Sequence, residues 1–367
     1  MPKAVLITSH FWNSKRKAGF HNIADSLMKM GYEVLFLTGN ASYIHHLKSD
    51  YRASLINDSV LNKLIRESDK LNLFIRFTPL HPVNYRNRIL NSLLLPSIRN
   101  YGEALSGFDE LSDYIKLSDI FIYESFPGLL WFDHFKTLNK NARFVYRVSD
   151  DMRQLKKHPY VIKHEENISR QFDLISVPSR YIFERFSKYE RTKLHHHGIR
   201  KDLFDAEVQS PFADTSESNF VFTGNAYLDR TFLDHASEIP DETMYHILGP
   251  FNRMNLPDKI KFYGEVEFRK TIPYVKFADA GLHTIEYTSG AEAFSDSLKV
   301  IQYTYCKLPI LAPEFLKSSR SNFVYYRPDD HESIRKAIAA AKEFDRSRID
   351  TSQIDSWDDL TRKLIVD

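Results

Sequence analysis

Residues 295–303 read Ser-Asp-Ser-Leu-Lys-Val-Ile-Gln-Tyr, a helix start with a cation out of place. Ser295, Asp296 and Ser297 are good N-cap types, and Leu298, Ile301 and Tyr305 fall on one helical face. Lys299 then occupies the first turn, where unpaired N–H groups and the helix dipole already present positive charge. An anion seated at Ser297, Leu298 and Lys299 removes the conflict. Gln302, three residues on, shares the face of Lys299 and can hydrogen-bond the same ligand without adding charge.

Other residues suit the chemistry of such a ligand. Asp150 and Asp151 follow the apolar run Phe144–Arg147, so one carboxylate at a strand end can act as a general base. Asp150 is the candidate base, and Asp151 is the alternative, better suited to capping. Glu265 follows Gly264, and Gly224 with Asn225 follows another apolar run, where backbone N–H groups can approach a diphosphate. His21 lies with Arg16 and Lys17 in a basic loop able to meet an acceptor or its phosphates. His195, His196 and His197 point in different directions on an extended chain, which argues against a shared metal. A lone cysteine, Cys306, makes neither an internal disulfide nor a cysteine-based zinc site.

The elements that must carry these residues alternate. Ala4–Thr8 reads as a strand, Ile23–Met30 as a helix and Tyr32–Leu37 as the next strand, which is a βαβ unit with a right-handed crossover. Strands over Ile120–Tyr123, Phe144–Arg147 and Leu174–Pro178 extend a doubly wound α/β domain. The polar, turn-rich stretch 205–219 interrupts the pattern. A second series follows, with strands over Phe220–Thr223, Met244–Leu248, Ile260–Tyr263, Gly281–Ile285, Leu308–Ala312 and Phe323–Tyr326. Helices over His331–Phe344 and Trp357–Val366 end the chain. Two Rossmann-like domains result, 1–198 and 199–345, with 346–367 expected to return to the first. In open parallel sheets ligands bind beyond the carboxyl ends of the strands. That rule places the loops after Thr8, Arg147, Thr223, Tyr263 and Ile285 around one cavity.

Composition narrows the partners. Lys+Arg 50 against Asp+Glu 48 leaves a formal charge of +2, too balanced to suggest nucleic acid. The first apolar run is too short for a signal peptide, and no apolar run reaches the roughly 18 residues of a membrane span. Residues 71–102 nevertheless lack Asp and Glu, while Arg76, Arg86, Arg88 and Arg99 punctuate Leu, Ile, Phe and Tyr. A cationic, apolar segment suits docking on anionic headgroups. Neither domain has a G-x-G-x-x-G turn or a Walker A loop, and no Asp-x-Asp pair is present to hold a metal–diphosphate. A diphosphate must then rely on a helix N-terminus and fixed cations.

Five segments together resemble the GT-B glycosyltransferases, and within them the GumK-type glucuronosyltransferases of bacterial exopolysaccharide assembly. They are residues 16–38, 145–152 (Val-Tyr-Arg-Val-Ser-Asp-Asp-Met), 196–204, 262–282 and, most strongly, 295–313. The resemblance implies a GT-B fold of two Rossmann-like domains. It implies inverting transfer of glucuronic acid from UDP-glucuronate, without a metal ion or other cofactor, onto a polyprenyl-diphosphate-linked oligosaccharide. The enzyme would be cytoplasmic, peripheral on the inner face of the plasma membrane. By position, Asp150 matches the family's general base, and Glu265, Lys299 and Gln302 match donor-site residues. A tyrosine of the family has no counterpart at matching spacing, and Tyr287 is the nearest candidate. A retaining transferase or UDP-sugar epimerase on the same fold, or a non-catalytic nucleotide-sugar binder, are the competing readings.

Overall fold

The computed structural model describes residues 1–15, 17–44, 51–56, 59–103, 105–213, 217–225, 227–251, 257–288 and 290–367. The chain divides into two compact units. One comprises Met1–His196 with Trp357–Asp367, and the other His197–Ser356.

The first unit is built on eight strands: β1 Lys3–Thr8, β2 Glu33–Ala41, β3 Leu64–Ser68, β4 Leu71–Phe77, β5 Ile120–Glu124, β6 Arg143–Arg147, β7 Leu174–Val177 and β8 Thr192–Leu194. Their order is β3-β4-β2-β1-β5-β6-β7-β8. All neighbours run parallel except β3, which is antiparallel to β4 at the edge. Central parallel strands are covered on both faces, which is why β1 reads as an unbroken apolar run. Val5, Ile7, Leu35 and Leu37 join one buried cluster, and Ala4, Leu6, Val34 and Phe36 join the other. Trp357, Leu360 and Leu364 of the last helix complete the second cluster against the helix Gly19–Lys29. Gly19 is required there, because a Cβ would lie 2.9 Å from the Trp357 ring.

Six parallel strands form the second unit: β9 Ser218–Thr223, β10 Thr243–Leu248, β11 Ile260–Gly264, β12 Ala280–Leu282, β13 Ile310–Pro313 and β14 Phe323–Tyr326. They are ordered β11-β10-β9-β12-β13-β14. Phe220, Phe222, Tyr245 and Ile247 pack on one face, and Val221, Leu248, Ile310 and Ala312 on the other.

In each sheet the strand order reverses once, at β1/β5 and at β9/β12. Such switch points open a crevice at the carboxyl ends of parallel strands, the standard ligand position in this architecture.

Several elements differ from the sequence-based expectation. β2 runs on past Leu37 to Ala41, with a register shift after Thr38. The segment 71–102, where the sequence reading expects no strand, contains one. It opens with β4, then carries the helices Arg88–Leu93 and Leu95–Glu103. β3 and β8 were not anticipated, since short edge strands leave little periodicity to read. β12 ends at Leu282 rather than Ile285. The Asp229 N–H takes the Thr284 carbonyl at 3.1 Å, and Leu228 forms an antiparallel bridge with Ile285, so the chain turns away from the sheet.

Candidate active site

In the second unit, Lys299 follows the N-cap Ser297 in the helix Leu298–Tyr305. Ser297 has cap geometry, but its hydroxyl bonds no helix N–H and is buried with no partner among the described residues. The Lys299 ammonium lies 3.9 Å over the Phe222 ring at the end of β9. Among the described residues it has no ion pair and no hydrogen bond. Desolvation pushes it down to about 7. A desolvated cation above an aromatic face, beside an uncapped helix start, is a site short of one anion.

The surroundings leave room for that anion. A Cβ on Gly224 would come within 3.8 Å of the Lys299 nitrogen and 3.2 Å of the Phe222 ring, so glycine keeps the approach open. Gln302 is buried, and its amide makes no hydrogen bond among the described residues. After β12, His283 donates from Nε2 to the Phe294 carbonyl, 3.0 Å away. Its Nδ1 and the Thr284 hydroxyl are buried with no partner among the described residues. Burial, together with the Lys299 charge, holds His283 well below the usual imidazole range.

The remaining donor-side candidates are more peripheral. Leu298 is exposed at the helix start, and Asn225 is exposed after β9. Glu265 is exposed after Gly264, whose φ of +72° is the left-handed turn that suits glycine. Tyr287 is 69% exposed and touches the Phe315 ring edge-on at 5.2 Å.

In the first unit, Asp150 follows β6 and is an exposed residue. Its backbone N–H and that of Ser149 both donate to the Ser125 hydroxyl, at 2.9 and 3.1 Å. Desolvation and then the Glu124 charge raise its carboxyl above the ordinary range, while Lys157 and His10 oppose the rise. Asp151 has a different role. It is buried, accepting from Arg185 Nη1 at 2.5 Å and the Arg153 N–H at 2.8 Å. Arg185 also grips buried Glu165, which accepts from the Tyr146 hydroxyl at 2.5 Å. This network anchors the loop and leaves Asp150 as the carboxylate open to a ligand.

Beside Asp150, at the switch point, Glu124 ends β5. It accepts from the Thr8 hydroxyl at 2.5 Å and the Ser9 N–H at 3.1 Å, and meets His10 Nε2 at 3.1 Å. Burial opposes its ionisation, but His10 and these donors hold it at about 2. Sequence reading missed His10, Glu124, Ser125, His283 and Thr284. The available signal was their position directly after apolar strands.

His21 does not sit in an open basic loop. It is buried, with Nδ1 accepting the Ala18 N–H at 3.0 Å and Nε2 against the Phe11 carbonyl at 3.0 Å. Burial pushes it down to about 4. Lys17 donates to the Trp12 carbonyl at 2.5 Å and lies over the Trp12 ring, and Arg16 lies outside the described residues. His195 and His196 face apart. His195 Nε2 meets Asp367 at 3.1 Å, while His196 Nδ1 meets the Pro178 carbonyl at 2.8 Å.

The four arginines separate into two groups. Arg76 lies within β4, bonded to Asn62 Oδ1 at 2.8 Å, and Arg99 stacks over the Tyr160 ring at 5.7 Å. Arg86 and Arg88 are exposed beside Ile89, Leu90 and Leu93, which are 70%, 44% and 68% exposed. Among the described residues no helix is long and apolar enough to cross a membrane.

Comparison with known proteins decides the class. Residues 6–178 match the family model "Glucuronosyltransferase GumK, N-terminal domain". The chain is 24% identical over 367 residues to UDP-glucuronate:glycolipid 2-beta-glucuronosyltransferase of Xanthomonas campestris pv. campestris, covering 99% of this chain and 89% of the relative. The chain has a GT-B fold and is similar to the GumK-type glucuronosyltransferases. Solved structures agree on the fold. Sucrose-phosphate synthase from Thermosynechococcus elongatus aligns at TM-score 0.59 and 14% identity, covering 100% and 94% of the two chains. The calicheamicin glycosyltransferase CalG4 aligns at 0.52 and 12%, covering 99% and 96%. The Anabaena protein HepE, in complex with UDP and glucose, aligns at 0.56 and 11%, covering 98% and 94%. The matched N-terminal segment contains His10, Glu124, Ser125, Asp150 and Asp151.

Proposed function

We propose that the protein is an inverting, metal-independent glucuronosyltransferase that moves glucuronic acid from UDP-glucuronate onto a polyprenyl-diphosphate-linked oligosaccharide. The observation that carries this reading is Lys299, a desolvated ammonium at an uncapped helix start with no anionic partner among the described residues. A nucleotide diphosphate supplies the missing anion, and the uronate of the sugar is a second anion for the same region. The full-length relative that acts on UDP-glucuronate and a glycolipid supports the choice of substrates.

In the proposed mechanism the diphosphate is held by Lys299 and the N–H groups at Leu298, with Gln302 bonding the nucleotide. Glu265, Gly224, Asn225 and Tyr287 border the donor. The acceptor hydroxyl meets Asp150. Its oxygen attacks the anomeric carbon from the face opposite UDP, its proton passes to the Asp150 carboxylate, and the bond from carbon to phosphate oxygen breaks. A raised carboxyl is a better base for this step than an ordinary one. Charge building on UDP is met by a cation and dipoles already in place. Exposed Ile89, Leu90 and Leu93 with Arg86 and Arg88 form the proposed seat on an anionic inner membrane face.

Stopped assays of UDP release test the reading. Asp150→Asn is expected to lower turnover at least about 100-fold while leaving UDP binding intact. Turnover unaffected by chelators supports metal independence. A product that keeps the donor's anomeric configuration, read by NMR, excludes inversion and favours a retaining transferase.

A further inference from the structure

A helix start is ordinarily held by its N-cap side chain, which accepts an N–H of the first turn. The helix Leu298–Tyr305 is not held that way, although Ser297 has the residue type and backbone geometry of a cap. Among the described residues the N–H groups of Leu298, Lys299 and Val300 have no partner. The first bond into the helix runs from the Ile301 N–H to the Ser297 carbonyl at 3.2 Å. Something else must fix this turn.

Two side chains from outside the helix do so. After β12, His283 Nε2 donates to the Phe294 carbonyl at 3.0 Å, the same oxygen that accepts the Ser297 N–H at 3.0 Å. His283 is itself pinned to the sheet, since its backbone N–H donates to the Leu311 carbonyl of β13 at 2.8 Å. From the loop between β13 and β14, Arg320 Nε donates to Asp296 Oδ1 at 3.2 Å. Both members of this ion pair are largely withdrawn from water, with 14% and 6% of their side chains exposed. The Arg320 N–H donates to the Ser318 hydroxyl at 3.2 Å, and the Ser318 N–H to the Tyr325 hydroxyl of β14 at 2.9 Å. Each brace is therefore tied to the sheet.

The electrostatics of the braces suit an anion at the helix start. Asp296 directly precedes the N-cap, where a bare carboxylate would answer the helix dipole itself and repel a phosphate. Arg320 engages that carboxylate, which accepts no helix N–H among the described residues. His283 holds its carbonyl as a neutral imidazole, because burial and the Lys299 charge keep it well below its usual range. The turn is thus fixed without consuming a single first-turn N–H.

On the reading that a nucleotide diphosphate occupies the Lys299 seat, we propose that His283 and Arg320 are its positioning residues. They replace the N-cap, bracing Phe294 and Asp296 from outside so that the first-turn N–H groups stay open to phosphate. Neither side chain needs to touch the donor.

The test measures UDP affinity by calorimetric titration, donor KM and kcat by UDP release, and melting temperature. His283→Leu fills the space without a donor and should weaken UDP binding and raise donor KM at least about tenfold. Its kcat at saturating donor should stay within about threefold of the parent. His283→Gln can still offer an amide N–H to the Phe294 carbonyl and should bind UDP within about threefold of the parent. Arg320→Met leaves Asp296 unpaired and should weaken UDP at least about tenfold, with Arg320→Lys recovering most of the loss. A merely loosened fold lowers the active fraction, and hence kcat, while leaving KM alone. If Arg320→Met fails to fold, the two His283 variants decide. The inference is overturned if His283→Leu or a folded Arg320→Met binds UDP within about threefold of the parent. It is equally overturned if His283→Gln binds no better than His283→Leu. Lys299→Met, run in parallel, keeps the two claims apart. A raised donor KM there, beside parent-like His283→Leu and Arg320→Met, leaves the seat standing and removes the positioning role alone. UDP binding indifferent to Lys299→Met removes the seat itself.

Discussion

Lys299 concentrates the residue-scale argument. Its ammonium is expected to bind the donor only when protonated, and desolvation has brought it to about 7 in the free protein. Above that value the fraction of charged lysine falls, so kcat/KM for the donor should decline as pH rises from about 7. Lys299→Arg keeps its charge at every working pH and should flatten this limb, while Lys299→Met should raise donor KM by at least about tenfold at pH 7. An unchanged donor KM in Lys299→Met, measured by UDP-release kinetics, removes the diphosphate seat. The sequence made Lys299 and Asp150 legible because a cation at a helix start and a carboxylate after a strand are local anomalies. His10 and Glu124 also follow apolar runs, but nothing local in the sequence pairs one with the other. They are 114 residues apart, and only the adjacency of β1 and β5 brings them together.

At the scale of elements, the donor helix is placed by its contact with the sheet beneath it. The Tyr303 hydroxyl accepts the Thr223 N–H at 2.9 Å, just before Gly224, and its ring lies flat on Gly281 of β12. A Cβ at Gly281 would stand 2.3 Å from Tyr303, too close for any rotamer shift to be free. Gly281→Ala should therefore destabilise the second unit by about 1–3 kcal/mol and weaken UDP binding with it, read by thermal melting and titration. A variant with unchanged melting and unchanged affinity contradicts the coupling. The exposed helix Arg88–Leu93 gives a separate prediction. Replacing Ile89 and Leu93 with Asp should cut binding to anionic vesicles by at least about tenfold, with UDP affinity unaltered. Most strands were legible, since both faces of β1, β2, β9 and β10 are buried and their sequences are continuous apolar runs. β3, β4 and β8 were not: half-exposed residues blur the pattern of the edge strands β3 and β8, and β4 lies in a stretch read only as cationic and apolar. The early end of β12 was hidden for another reason: its turn depends on pairing with residues 227–229, which no local signal announces.

At the scale of the molecule, the chain comprises a first unit that holds the segment matched by the GumK family model and a second parallel-sheet unit, with the last helix belonging to the first. Both units bury neutral histidines. Burial pushes His21, His195 and His246 down to about 4 each, with the Arg147 charge adding to the effect at His195 and the Lys261 charge at His246. In the unfolded chain they titrate near 6.5, so between those values the unfolded state binds more protons. Their contribution is complete above about pH 6.5 and is lost as pH falls toward 4, by up to roughly 3 kcal/mol per histidine. Melting temperature is expected to drop through that window, and His21→Gln to make the drop shallower. The whole-chain reading was legible because helix-start, strand-end and linker signals recur in the order the resemblance demands. What the sequence could not convey is which polar atoms end up buried with no partner among the described residues, as at His283 Nδ1 and the Thr284 and Ser297 hydroxyls.

The central claim is transfer of glucuronic acid to a lipid-linked sugar. The direct measurement incubates the purified protein with a lipid-linked oligosaccharide and, in parallel, UDP-glucuronate, UDP-glucose and other UDP-sugars, reading the acceptor by mass spectrometry. The account predicts a mass gain of one glucuronyl residue with UDP-glucuronate, abolished by Asp150→Asn, and little or none with the neutral donors. Efficient transfer from a neutral UDP-sugar with none from UDP-glucuronate would contradict it.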